Sequence, residues 1–399
     1  MFTLNPRNEE GFFYLLVAMG GVVSAIGVAA ALHMEHSGHV VTGMNNQFVW
    51  GLPHVVSIFL IIAASGVLNV ASMGSVFGRT LYKSRGPLAG LLGIAMMTGG
   101  LAVIMLDLGR ADRGIVAATH VNLTSVFGWN MILYPVFYGL VAVYLWTLME
   151  RRMNPWSKAA GLATFVWRVV LTSGTGSIFA FLVARQAYGT ALLAPMFIVM
   201  SFSWGLAVFI PVQAAMYASR GETLPPLVHQ RMKNLLATFI AAVLYLTAIL
   251  HLANAYFAKN IAFEYFILFG SEFSGMFWIG QVLIGSLLPM ALLFHPATRT
   301  RTLWLNVASL LVIVGAYFHL YVFIVGGQAF PLDIFPGYDV KSSFMDGAID
   351  HYTASLPEIL LSLGGLGITF TITLIGVRAL NFMPHDDLAK LEAAGSVAD

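Results

Sequence analysis

Cysteine is absent from all 399 residues, and charge is scarce: Asp, Glu, Lys and Arg together make up 10% of the chain. Without thiols the chain cannot ligate an iron–sulfur cluster or a zinc–thiolate site, and disulfide and thiol chemistry are excluded. A redox group must then be held by His, by Met or by noncovalent contact with an organic molecule. The scarcity of charge excludes the soluble class, since 58% of residues are apolar or aromatic and the mean hydropathy is +0.82. Pro- or Ser-rich linkers are missing too, so residues 1–399 read as a single integral membrane domain. A net charge of +2 points to no nucleic acid partner, because in a membrane chain it mainly reflects sidedness.

What fills the chain is apolar sequence. A membrane span needs about 20 predominantly apolar residues. Ten such segments occur, at about 11–33, 52–77, 87–107, 126–149, 159–184, 192–218, 233–257, 272–295, 303–326 and 358–381. The fold class is therefore an all-α polytopic protein of about ten transmembrane helices, seated in lipid. The first span has no basic leader and no small-residue cleavage pattern, and Asn8, Glu9 and Glu10 precede it, so it is expected to be retained.

Basic residues resist translocation, which gives the orientation. Loops after the even-numbered spans hold Arg79, Lys83, Arg85, Arg151, Arg152, Lys158, Arg220, Arg231, Lys233, Arg299 and Arg301. Loops after the odd-numbered spans hold Arg110, Arg113, Arg185, Lys259 and Lys341. Eleven against five puts both termini in the cytoplasm and the second set of loops outside, as expected of a multi-pass protein of a bacterial inner membrane. The longest outer segment, 327–357, carries Asp333, Asp339, Asp346, Asp350 and His351. It is either a docking surface for an external partner or a lid over its own helices.

With sides assigned, each polar residue acquires a depth. His54 and Ser57 lie in the outer first turns of the second span, three apart and on one face. Asp107 and Arg110 lie at the outer end of the third span, and His120, Asn122, Ser125 and Asn130 lead into the fourth from the same side. Imidazole, carboxylate, guanidinium and amide groups thus converge at one level. Such a group suits a quinone, whose flat ring and prenyl tail lie among helices while its carbonyls need hydrogen bonds and a proton relay. An imidazole such as His54 can bond a carbonyl and exchange a proton near neutral pH. Asp107 then either passes that proton outward or pairs with Arg110 to close a helix end. Ser57, Asn122, Ser125 and Asn130 serve either the ligand or helix packing.

The second half repeats the tendency with His251, Asn254, Glu272, His319, Tyr321 and Glu358, all toward the outer side. They allow a second site or a proton exit, while Glu272 and Glu358 also fit as helix N-terminal carboxylates facing the dipole. Arg168 stands about ten residues into the fifth span, near mid-bilayer, where arginine is costly and faces a partner or water. It is a candidate for a cytoplasm-facing proton path, with His251, His319 and Glu358 as the proton-path candidates on the outer side, or it bonds Ser and Thr neighbours such as Thr172.

Three strings carry a resemblance: Asn46-Gln47-Phe48-Val49-Trp50-Gly51 entering the second span, Leu106-Asp107-Leu108-Gly109-Arg110, and His120-Val121-Asn122-Leu123-Thr124-Ser125. Together they look like the NrfD/PsrC family of membrane subunits, which includes the polysulfide reductase anchor. Ten spans, Met276-Phe277-Trp278 and Pro357-Glu358 resemble its longer branch, with the HybB-type hydrogenase anchor and the DsrP subunit of the sulfur-linked Dsr complex. The resemblance implies a core of two four-helix bundles, with a quinone site in the first bundle region, 34–149, and a second bundle at 192–326. It implies a menaquinone or ubiquinone ligand, a ferredoxin-like iron–sulfur subunit on the periplasmic side, and further redox subunits. Ser57 departs from the His or Asp of relatives, so His54 is expected to compensate. The implied activity is exchange of electrons between the quinone pool and the iron–sulfur partner, in sulfur metabolism. Two other classes stay open: a transporter or proton pump without a redox partner, and a haem-b anchor using His54, His120, His251 or His319. The chain lacks the paired, widely spaced histidines on two helices that a diheme cytochrome shows.

Overall fold

The computed structural model describes residues 6–332, 347–380 and 382, with backbone alone for 6–9. Asp333, Asp339, Lys341 and Asp346 fall outside the described residues, as do the side chains of Asn8 and Glu9. Among the described residues there is no strand. A backbone in lipid must satisfy its own N–H and C=O groups, and helices do so within one segment.

Ten helices among the described residues are long and apolar enough to cross a membrane: α1 (Glu10–Ser37), α2 (Leu52–Ser75), α3 (Gly86–Leu106), α4 (Val126–Met149), α5 (Asn154–Ala180), α6 (Leu193–Ser219), α7 (Pro226–Tyr256), α8 (Glu272–Phe294), α9 (Thr302–Ala329) and α10 (Leu356–Leu380). The chain is a multi-pass membrane protein. Of the boundaries that differ from the hydropathy reading, two have a plain local cause. Helix α7 begins at Pro226 rather than near 233, because proline at a helix start loses no needed N–H and polar Arg231 and Lys233 then ride its first turns. Helix α5 stops at Ala180, where the chain turns back and the Gly189 N–H reaches the Phe179 carbonyl at 3.4 Å.

Packing joins the helices into two closed rings. In the first, α2 meets α3, α3 meets α4, α4 meets α5 and α5 returns to α2; in the second, α6, α7, α8 and α9 close in the same way. The first ring therefore reaches past residue 149 to take in α5. Helices α1 and α10 pair with each other, and α10 leans on α3. The rings are fused where α2 crosses α6. There Gly66 lies against the Ser201 carbonyl, and a methyl group at Gly205 would strike the backbone of Gly66 and Val67. Close approach through small residues is how helices associate when lipid offers no hydrophobic contrast.

Because successive helices reverse direction, their ends form two faces. The His54 face gathers 38–51, 107–125, 181–192, 257–271 and the start of α10. Its centre is stitched by long-range bonds. The Gln328 amide accepts from the backbone N–H groups of Val49 and Trp50 at 2.9 and 3.0 Å and donates to the Trp50 carbonyl at 2.8 Å. Arg185 donates to the carbonyls of Gln47 and Gln328 at 2.6 and 3.1 Å, and burial lowers its pKa. The opposite face, named here for Arg79, carries Arg85, Arg152, Arg231 and Arg299.

Candidate functional site

Helix α2 starts at Leu52 with proline in its first turn, which fixes the direction of His54 one residue on. Helix α3 ends at Leu106, so Asp107 sits at its C-terminal cap with its N–H bonded to the Val103 carbonyl. These two ends meet. His54 Nδ1 lies 3.4 Å from Asp107 Oδ2, and the side chains are 16% and 3% exposed. Burial is the main force holding the Asp107 carboxyl above its ordinary range, and the His54 bond pulls it partway back. Asp107 Oδ1 is buried with no hydrogen-bond partner among the described residues.

Trp50 covers this pair. Its ring stacks on His54 at 5.7 Å between centroids and meets Phe179 edge-on at 5.3 Å and Phe127 at 6.4 Å. The Gln328 clamp on the Trp50 backbone fixes the indole from another bundle. Sequence reading named Trp50 as part of a motif and missed its partner Gln328, which carries no charge signal.

The other first-bundle candidates divide. Ser57 is fully buried and donates to the Gly100 carbonyl at 2.6 Å, so it turns to α3 as His54 does but serves helix packing. Asn130 is buried on α4, its Oδ1 without a partner among the described residues. Arg110 does not pair with Asp107, which corrects that alternative: the helix has ended, and Arg110 instead clasps Asp112 at 3.0 and 2.9 Å on the exposed loop. That guanidinium holds Asp112 below the usual carboxylate range. His120 is exposed and bonded to Thr119 Oγ1 at 3.0 Å, while Asn122 Oδ1 closes a turn on Thr124 at 3.0 and 2.8 Å. The Ser125 side chain makes no cap bond at the start of α4. Around this loop stand the exposed side chains of Val40, Ile115, Val116 and Leu123.

The four proton-path candidates occupy three separate places. Arg168 bonds the Ser65 carbonyl at 3.3 Å and Asn69 Oδ1 on α2, between the rings of Phe165 and Phe202. Its backbone carbonyl, not its guanidinium, receives the Thr172 hydroxyl at 2.8 Å. Glu358 is fully buried and accepts from the N–H groups of Gly43 and Ser355 and the Tyr352 hydroxyl, each at 2.8 Å. It anchors the α10 start to the loop before α2, a use closer to the helix-cap reading. Glu272 stands exposed in the first turn of α8, whose cap is Ser271, with His351 Nδ1 at 3.3 Å.

His251 and His319 share a chamber in the second bundle. His251 Nδ1 is 2.8 Å from Glu264 Oε2, Glu264 Oε1 accepts from Asn254 at 2.8 Å, and Asn260 donates to Asn254 at 3.1 Å. Glu264 is 3% exposed at its side chain and was missed in the sequence, since its helix, Ile261–Leu268, lies between spans. A cavity of about 30 Å³ runs from Glu264 and His251 to Gln281 and His319, and a second of about 20 Å³ continues from those two to Ser203 and Ser286. Each has room for a water molecule or two. The walls include wide-turn π-helix at Met276–Leu287 and Val322–Gly326, a geometry frequent at functional sites. Among the described residues no cluster of three or more His, Asp or Glu is placed to bind a metal.

Known proteins resemble this chain over nearly its whole length. It is 27% identical over 377 residues to the Hdr-like menaquinol oxidoreductase integral membrane subunit of Archaeoglobus fulgidus, covering 94% of each chain. It is 27% identical to a Halobacterium salinarum protein provisionally named as a membrane subunit of dimethyl sulfoxide reductase, over 89% of this chain and 88% of that one. Against a selenate reductase subunit from Mesobacillus selenatarsenatis the identity is 21%, over 89% and 91%. The family model described as polysulphide reductase, NrfD, matches residues 40–332, both four-helix rings included. The chain belongs to the NrfD family.

Proposed function

We propose that this chain is the quinone-reactive membrane subunit of a multi-subunit redox complex, with its quinone substrate at the His54–Asp107 pair. The observation that carries the reading is a part-buried imidazole–carboxylate contact beside Trp50 in which the buried Asp107 Oδ1 lacks a donor among the described residues. With His54 Nδ1 turned to Asp107, Nε2 is left to accept a quinol hydroxyl proton or to donate to a quinone carbonyl. The spare Asp107 oxygen suits a second donor, and Asn130 Oδ1 is another buried acceptor on the same bundle. Oxidation of a quinol releases two electrons and two protons. The electrons pass to an iron–sulfur partner, since this chain has no cysteine to hold a cluster, and the protons leave through His54 and Asp107. The reverse direction uses the same groups. An apolar cleft of about 460 Å³ between α4 and α5, bordered by Trp129, Ile132 and Val170, suits the isoprenoid tail.

The named relative from Archaeoglobus supports menaquinol over ubiquinol. The exposed apolar side chains on the 107–125 loop support docking of the partner on the His54 face, and the lean basic content of that face supports a periplasmic position with both termini cytoplasmic. Sulfur metabolism of the DsrP type rests on the sequence resemblance. The chamber from Glu264 through His251 to His319 supports a proton path in the second bundle.

The test is the double variant His54→Ala, Asp107→Ala in the assembled complex. Quinol-linked electron transfer should fall by a factor of about 10² or more, while turnover of the partner subunits with a soluble dye persists. Unchanged quinol-linked turnover sinks the reading.

A further inference from the structure

On the Arg79 face, far from either polar site, a cleft of about 610 Å³ opens where the end of α2, the short helix Thr80–Lys83 and α7 meet. Its mouth holds Arg79 and Arg231, both exposed, and neither makes an ion pair among the described residues. Its apolar lining includes Phe77, Met73 and Leu235, with Asn234 beside Leu235 on α7.

Depth explains the gradient. Helix α7 has 31 residues and is about 46 Å long, against a hydrocarbon core of about 30 Å, so about 8 Å of helix projects at each end. Arg231 is five residues from the α7 start, about 8 Å along it, and so lies at the boundary between headgroups and acyl chains. Leu235 and Thr238 continue inward past that boundary. Local charge has one sign. Tyr82 lines the cleft, burial pushes its phenol up, and the charges acting on it come from Arg231, Arg85 and Arg79, with no carboxylate among them.

We propose that this cleft is a binding site for one anionic membrane lipid, with its phosphodiester between Arg79 and Arg231 and an acyl or isoprenoid chain along Phe77, Met73 and Leu235. Two forked guanidiniums at headgroup depth match a phosphate, and an apolar floor beneath them matches a lipid rather than a soluble anion. The lipid ties α2 of the first bundle to α7 of the second on the face opposite the Gln328 clamp.

The experiment is native mass spectrometry of the purified, delipidated full chain in detergent, titrated in parallel with phosphatidylglycerol, phosphatidylcholine and inorganic phosphate. One phosphatidylglycerol should bind well ahead of phosphatidylcholine. Two interfacial arginines at the strength usual for anionic lipid predict that Arg79→Gln with Arg231→Gln weakens this binding roughly thirtyfold, and that Arg79→Lys with Arg231→Lys keeps most of it. A second variant, Thr238→Trp, fills the acyl part while leaving both arginines, and should also lose the adduct. This variant decides the matter if the glutamine pair does not fold. Equal binding of the two lipids, or unaltered binding by the variants, overturns the proposal. So does inorganic phosphate that binds alone as tightly as phosphatidylglycerol, which makes the site one for a free anion.

Discussion

At the scale of single residues, the first-bundle site turns on a carboxylate kept out of water. Asp107 is buried at a helix end whose unpaired carbonyls repel its charge, and its bond to His54 is long at 3.4 Å. Desolvation therefore dominates, and the folded chain holds the carboxyl proton above the ordinary value of 3.8. The sign of the linkage follows. Below 3.8 both folded and unfolded chains are protonated there; between 3.8 and the raised folded value the folded chain binds more protons, so stability falls as pH rises through that window and levels off above it. Asp107→Asn is neutral throughout and should flatten this slope. Thermal unfolding in detergent between about pH 4 and about pH 8 reads it, and equal slopes in both proteins refute the raised carboxyl. The pair shows what spacing reveals and where it fails. Three residues apart, Asp107 and Arg110 read as helix neighbours, yet α3 ends at Leu106 and Arg110 leaves the helix with φ −144° and ψ 65°. The neighbourhood rule lapses with the helix. The face on which the chemistry gathers was legible; the partner of Asp107 depended on a helix end that composition does not mark.

At the scale of elements, the ten helices were legible because lipid leaves an apolar run no other way to satisfy its backbone. How they pack was not. Contacts that fuse the rings run through glycines such as Gly66 and Gly205, which have no hydropathy signature of their own. Glu264 was hidden for a related reason: it rides an eight-residue apolar helix between spans, and its partners His251 and Asn254 face it only once the chain has turned back at Phe257. A carboxylate inside such a run, Ile261–Leu268, was the signal available. The wide-turn stretch of α8 sets Gln281 in the walls of both small cavities, so Glu264, His251, Gln281 and His319 follow one another along adjoining polar space. If this line carries protons, Glu264→Gln keeps the hydrogen bond from Asn254 and removes the proton acceptor. In reconstituted liposomes it should lower the protons appearing per electron by roughly half, by loss of one of the two proton-handling sites, and leave electron transfer running when the membrane is de-energised. An unchanged ratio takes the second bundle out of proton transfer.

At the scale of the whole molecule, sidedness decides what either site can do. On the proposed function, a quinone pair near the periplasmic surface releases its protons to the outside when quinol is oxidised; near the cytoplasm the same chemistry releases them inside. The His54 face has few basic residues, and the opposite face has many. Since basic loops resist translocation, the His54 face should be the outer one. The absence of cysteine makes this directly measurable, because any single cysteine is the only thiol in the chain. Ile115 is 71% exposed on the 107–125 loop, and Arg152 is exposed on the turn before α5. With a membrane-impermeant maleimide, Ile115→Cys should label in intact cells and Arg152→Cys after permeabilisation alone. The reverse pattern turns the molecule over and moves the His54–Asp107 pair and the 107–125 loop to the cytoplasm, where the proposed redox partner would then be sought.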